Sequence, residues 1–236
     1  MENVCFIVSC DADDVLKDNL RKQGSVFELN HCGTLDERES AHPDMHICRI
    51  SESFCVVSPY AAEFVETFFL ENGIGFTVGN TFLSPEYPEN IAYNVSVGDK
   101  IFFHNTKHTD KTILEMLINS GKRPVNVKQG YSGCSSIFAD VKVITSDYGI
   151  FKTCKKENIT AVLFKEPKQI LLSGFANGFM GGSCGYSKET GLLINCSEEY
   201  LPSDFRCELD RQNIKYTCVG SGRITDIGGI LIFTGH

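Results

Sequence analysis

The sequence predicts an α/β protein assembled as a closed ring of five ββαβ units. Three observations carry that prediction. A short apolar strand ending in a polar residue recurs five times: "CFIVS" at Ser9, "CVVS" at Ser58, "IFFH" at His104, "VITS" at Ser146 and "LLIN" at Asn195, at intervals of 49, 46, 42 and 49 residues. Strand candidates outnumber helix candidates about three to one, whereas an open wound sheet alternates them. The last repeat ends on "DIGGILIFTGH" without a return strand, and the chain opens on a lone strand, "VCFIVS", that can supply it. Closure of that kind leaves no exposed sheet edge.

Each unit reads in the same order. After the recurrent strand comes a helix candidate: "DADDVLKDNLRKQG", "AAEFVETFFLENG", "TDKTILEMLINSG", the short "KTCKKENI" and "YLPSDFRCELDRQN". The first three repeat apolar residues at three- and four-residue spacing and close on glycine. A second strand follows: "SVFELN", "GFTVGN", "PVNVKQG", "AVLFK" and "IKYTCVG". A corner marked by Gly, Pro or Asp then leads into a third strand, in "HPDMHICRI", "YPENIAYNVS", "GYSGCSSIF", "GGSCGYS" and "RITDIGGILIF". No linker or shift in composition interrupts the series, so one domain is expected over 1–236.

Composition narrows the function. The 236 residues carry a net charge of −8, which disfavours nucleic acid as a partner because phosphate binding needs a basic surface. No apolar run reaches the roughly 18 residues that span a bilayer. "MENVCFIVSCDADD" lacks the basic start and long apolar core of a signal peptide, so a cytoplasmic location is expected. Eleven cysteines, an odd number in a chain of this size without a CxxC pair, read as reduced thiols, most of them small core residues. No phosphate-binding loop is present, and no cofactor is expected.

The five ββαβ units and their glycine-marked corners resemble the pentein superfamily, five-bladed α/β-propellers that include guanidino-group-modifying enzymes. "HPDMH", "NVKQGYSGCS", "ITSDYGI", "GFMGG" and "DIGGIL" also resemble a bacterial family of uncharacterised proteins assigned to that fold. The resemblance implies a ligand site on the ring axis, where the inner strands begin. It would be built from the corners 42–46, 89–94, 131–135, 181–185 and 225–229. It also implies a cysteine nucleophile in the last blade, a histidine two blades earlier and carboxylates that grip a planar guanidinium. Here the last corner, "GRITDIGG", holds no cysteine.

Rotating the ring by two blades yields a candidate set. Cys134 takes the nucleophile position, His42 and His46 supply proton transfer, and Asp44, Asn90, Asn94 and Asp226 bind the substrate. In an extended strand His42, Asp44 and His46 would share one face. The same three could hold a metal, with Cys134 or Asp226 as a further ligand. The expected partner is a small polar or cationic ligand, met either by a cysteine-dependent hydrolase or transferase or by a non-catalytic pentein that only binds. Cys134 and Cys184 also have a plainer reading, as small residues packed at crowded corners.

Overall fold

The computed structural model of the chain describes residues 3–33 and 35–235. In chain order its first elements are β1 (Asn3–Ser9), α1 (Asp14–Arg21), β2 (Ser25–Leu29), α2 (Pro43–His46), β3 (Ile47–Arg49), β4 (Phe54–Val57), α3 (Ala62–Glu71) and β5 (Gly75–Val78). Then come β6 (Ser96–Val97), β7 (Ile101–His104), α4 (Lys111–Asn119), β8 (Arg123–Asn126), α5 (Ser132–Ser135), β9 (Ser136–Ala139), β10 (Lys142–Thr145), α6 (Tyr148–Lys156) and β11 (Ala161–Leu163). The chain ends with β12 (Cys184–Ser187), β13 (Gly191–Ile194), α7 (Ser203–Arg211), β14 (Tyr216–Cys218) and β15 (Leu231–Gly235).

The strands form five three-stranded sheets of one design: β15-β1-β2, β3-β4-β5, β6-β7-β8, β9-β10-β11 and β12-β13-β14. In each, the first strand is antiparallel to the second, and a helix carries the chain over to a third strand parallel to the second. The lone N-terminal strand supplies the second strand of the last unit, with Asn3 opposite Gly235 and Ile7 opposite Leu231.

The five crossover helices obey one rule. Each buries a pair four residues apart: Leu16 and Leu20, Val65 and Phe69, Ile113 and Leu117, Ile150 and Cys154, Phe205 and Leu209. Helices of eight to ten residues present little more than that one stripe, so their stability comes from burying it against the sheet. Asp13, Asp110 and Asp147 cap α1, α4 and α6 by accepting from backbone N–H groups of the first turn. Gly73, Gly121, Asn158 and Asn213 take positive φ just past the ends of α3, α4, α6 and α7. The helix expected from "KTCKKENI" begins earlier, at Tyr148. Gly149 weakens the local signal, and the Asp147 cap with burial of Ile150 overrides it.

Three of the expected corners are tight turns, and the extended alternative for 42–46 does not hold. Pro43–His46 and Ser132–Ser135 are single helical turns, and Gly181–Ser183 is a 3₁₀ turn, each running directly into a strand. His42, Asp44 and His46 therefore do not share a strand face. Residues from β3, β6, β9, β12 and β15 line one cavity of about 90 Å³, among them Arg49, Ser96, Phe138, Tyr186 and Ile232.

Candidate functional site

The site gathers where these corners converge. Asp44, on the turn before β3, lines the cavity, as do Gly133, Gly181 and Gly229. Its carboxylate is buried, and among the described residues neither oxygen has a hydrogen-bond partner. Burial pushes its pKa up to about 6. The Cys134 thiol and the Asn94 amide face it from nearby and oppose that rise, but neither bonds it directly. Cys184, at the start of β12, lines the same cavity as a buried thiol.

Asp226 is held differently. Its Oδ2 accepts from the Phe179 N–H at 2.8 Å and its Oδ1 from the Gly228 N–H at 3.0 Å, so it braces two corners. The fit around it is close: a Cβ on Gly182 would stand 2.1 Å from Asp226 Oδ1, and one on Gly228, at φ +73°, would run into His42. Burial, and then the nearby Asp44 charge, raise the Asp226 pKa to about 7. The two carboxyl groups are buried near each other, and the charge of Asp44 favours the protonated form of Asp226.

Cys134 is set up as a packed thiol. Asn94 Nδ2 donates to its Sγ at 3.0 Å, and its own N–H donates to Asn94 Oδ1 at 3.1 Å. The side chain packs with Met45, Ala92 and Tyr93 in a core cluster rather than lining the cavity. Burial, then the charges of Asp44 and Asp226, drive the thiol pKa well above its ordinary value. A nucleophilic cysteine needs the reverse, an electropositive and accessible setting.

The histidines are engaged away from Cys134. His46 uses both ring nitrogens inside the fold, Nδ1 with Ser58 Oγ at 2.9 Å and Nε2 with the Ser40 carbonyl at 3.1 Å. His42 Nδ1 sits 4.0 Å from Asp226 Oδ1. Burial depresses both imidazoles to about 4, so both are neutral at physiological pH. Among the described residues, no histidine hydrogen-bonds Cys134. The expected trio of His42, Asp44 and His46 is not brought together around a metal position, because the His46 nitrogens are already engaged.

Asn94 and Asn90 have internal duties. Besides its bonds to Cys134, Asn94 Nδ2 donates to the Asp44 carbonyl at 3.2 Å, tying three corners together. Asn90 Nδ2 donates to the Tyr131 hydroxyl at 2.7 Å and to Glu39 Oε1 at 3.4 Å, while its Oδ1 is buried without a partner. Glu89, expected at a corner, is exposed; the further acid near the site is half-buried Glu39, whose pKa burial raises. A basic residue, Arg49, lines the cavity, with Nη1 donating to the Ile232 carbonyl at 2.7 Å. Glu39 lies before the first corner motif and carries no pattern of its own, and Arg49 sits in the strand after that corner, where spacing alone does not show that it lines a cavity.

Five small sheets of this topology, converging on a polar centre, make the fold pentein-like. The chain belongs to DUF6873, a family of unknown function, whose sequence model matches residues 7–231. No curated protein matches it in sequence. Among solved structures, the N-terminal domain of ArgZ, covalently bound to a reaction intermediate, superposes with a TM-score of 0.53 at 10% identity, over 92% of this chain and 91% of that one. Apo ArgZ, an arginine dihydrolase from the ornithine-ammonia cycle in cyanobacteria, superposes with a TM-score of 0.51 at 8% identity. That match takes in 98% of this chain and 39% of that one. At such identities the likeness is one of fold.

Proposed function

We propose that the five sheets close into an α/β-propeller forming a single domain, and that the corner cluster on its axis binds a small cationic head group without covalent catalysis by Cys134. The observation that carries this reading is Asp44: it lines the cavity, and its buried carboxylate lacks, among the described residues, a hydrogen-bond partner at either oxygen. A buried charge without a partner is costly, and a bound cation relieves that cost.

Size and charge narrow the ligand. A cavity of roughly 150 Å³ takes a benzene ring, so about 90 Å³ suits a group of about four heavy atoms. A guanidinium or a primary ammonium fits, and a guanidinium adds a planar fork of donors that matches a carboxylate. Arg49 gives the cavity a positive charge distinct from Asp44, which favours a ligand whose remainder is anionic. Arginine, on which the dihydrolase ArgZ acts, has both features.

Covalent chemistry stands outside this reading, because Cys134 lacks a histidine partner and faces two carboxylates. The test is a thermal-shift series at pH 8 with arginine, agmatine and putrescine at millimolar concentration. The wild-type protein should be stabilised by mass action, arginine more than agmatine, and Asp44→Asn should not respond. Equal shifts in wild type and Asp44→Asn, or none in the wild type, would sink the reading.

A further inference from the structure

A second polar cluster lies apart from Asp44. β1 and β2 are parallel neighbours, so the segments that follow them leave the same edge of the sheet. Cys10 and Asp11 follow β1, and His31 follows β2; the Cys10 N–H donates to the Leu29 carbonyl at 2.9 Å and fixes the register between them. One ligand atom from each of Cys10, Asp11 and His31 lies within 4.8 Å of the other two. Cys10 Sγ is 3.8 Å from Asp11 Oδ1, and His31 Nε2 is 3.3 Å from Asp11 Oδ2.

These separations suit one small cation. Zinc bonds to sulfur at about 2.3 Å and to nitrogen or oxygen at about 2.0–2.2 Å, so the edges of a tetrahedron with one sulfur run about 3.3–3.6 Å; Asp11 now turns Oδ1 to Cys10 and Oδ2 to His31, and a rotation of its carboxylate would present one oxygen to both. The hydrogen bonds behind His31 point the same way. Ser40 Oγ lies 2.8 Å from His31 Nδ1 and donates to the Glu37 carbonyl at 3.3 Å, so the ring is held from behind by an anchored hydroxyl. On the other side of the ring, Nε2 faces Asp11 Oδ2 at 3.3 Å, the position where a shared cation would be held. Metal-bound histidines are oriented by such an outer hydrogen bond. A thiolate, a carboxylate and a neutral imidazole balance a divalent charge, and the neighbouring Lys17 is paired with Glu28 at 2.9 Å.

We propose that Cys10, Asp11 and His31 form a binding site for a divalent transition metal, zinc by the mix of soft and borderline donors. His31 and Asp11 are exposed, so solvent or a small ligand completes the coordination. Binding releases the Cys10 thiol proton to solvent and forms the sulfur–metal bond, with no change of oxidation state.

The test is titration of the reduced full-length chain with Co²⁺ under exclusion of oxygen, followed by displacement with Zn²⁺. One equivalent of Co²⁺ should produce a thiolate-to-metal absorption band that Zn²⁺ abolishes. Cys10→Ser should lose that band, and His31→Gln should weaken binding at least about 10-fold, with unchanged melting profiles in the absence of metal. Ser40→Ala should weaken it by about 10-fold, as loss of an orienting hydrogen bond does. The proposal is overturned if the wild type gives no band, or if the band survives Cys10→Ser. Binding unaffected by His31→Gln would equally overturn it, leaving Asp11 and His31 as a plain ion pair.

Discussion

Asn94 and Cys134 hold each other by two opposed hydrogen bonds, amide to sulfur at 3.0 Å and backbone N–H to amide oxygen at 3.1 Å. The pair joins two corners of adjacent units, and the same amide reaches the Asp44 carbonyl of a third. Asn94→Ala removes donors and acceptor together and leaves buried groups unpaired. It should destabilise the protein by about 2–4 kcal/mol in urea denaturation. The thiol it holds should alkylate slowly at neutral pH, and exposed Cys207 far sooner. Peptide mapping after brief iodoacetamide treatment reads the order directly, and early labelling of Cys134 would reinstate it as a nucleophile.

Asp226 braces the Phe179 and Gly228 amides, so its first role is structural. Asp226→Asn keeps one acceptor oxygen and puts an N–H donor against a backbone N–H. A loss of about 1–3 kcal/mol in urea denaturation is expected. Ligand response should weaken in this variant but persist, since Asp44 remains. Unchanged stability would move Asp226 from brace to ligand.

Asp44 should make stability depend on pH in a defined direction. Its folded pKa, about 6, lies above the ordinary carboxyl value, so the folded state binds the proton more tightly. Its contribution is therefore favourable at low pH and is lost as pH rises from about 4 through about 6. His42, His46 and His104 act oppositely, since their depressed folded pKa values, about 4, make stability rise between about 4 and 6.5. The histidines cancel in a comparison of wild type with Asp44→Asn. Without ligand, the variant should gain on the order of 2–3 kcal/mol over wild type between pH 4 and pH 8. A flat difference would place an unseen partner on Asp44.

β1 is the middle strand of its sheet, and Phe6, Ile7 and Val8 are fully buried. Deleting residues 1–9 removes the partner of both β2 and β15. The truncated chain should lose its cooperative thermal transition rather than shed a tail. A soluble truncation melting within a few degrees of the full chain would contradict the pairing of the two ends as a requirement of the fold.

Most of the fold was legible in the sequence, and the reasons are physical. The five apolar strands, and helix pairs such as Leu16 and Leu20, repeat because each unit buries the same faces. The missing return strand of the last unit pointed to β1. The corners show in the sequence as Gly, Pro and Asp marks, but the extended alternative for His42, Asp44 and His46 fails because a single helical turn has too few residues for periodicity, and corner shape is set by contacts such as Gly182 against Asp226. The expected cluster was half legible. Asp44, Asn94, Cys134 and Asp226 do converge, but spacing alone cannot show that His46 is consumed by Ser58 and Ser40. Nor could it show that Arg49 lines the cavity, or that Cys10 and Asp11 meet His31 across a parallel pair of strands.

The central claim is that ionised Asp44 binds a cationic head group, and calorimetric titration with arginine across pH tests it most directly. Binding requires the carboxylate, so affinity should be level above about pH 7 and fall toward tenfold per pH unit below about pH 6, with proton release on binding. Asp44→Asn should bind no arginine at any pH. Affinity independent of pH between 5 and 8, or retained in Asp44→Asn, would contradict the account.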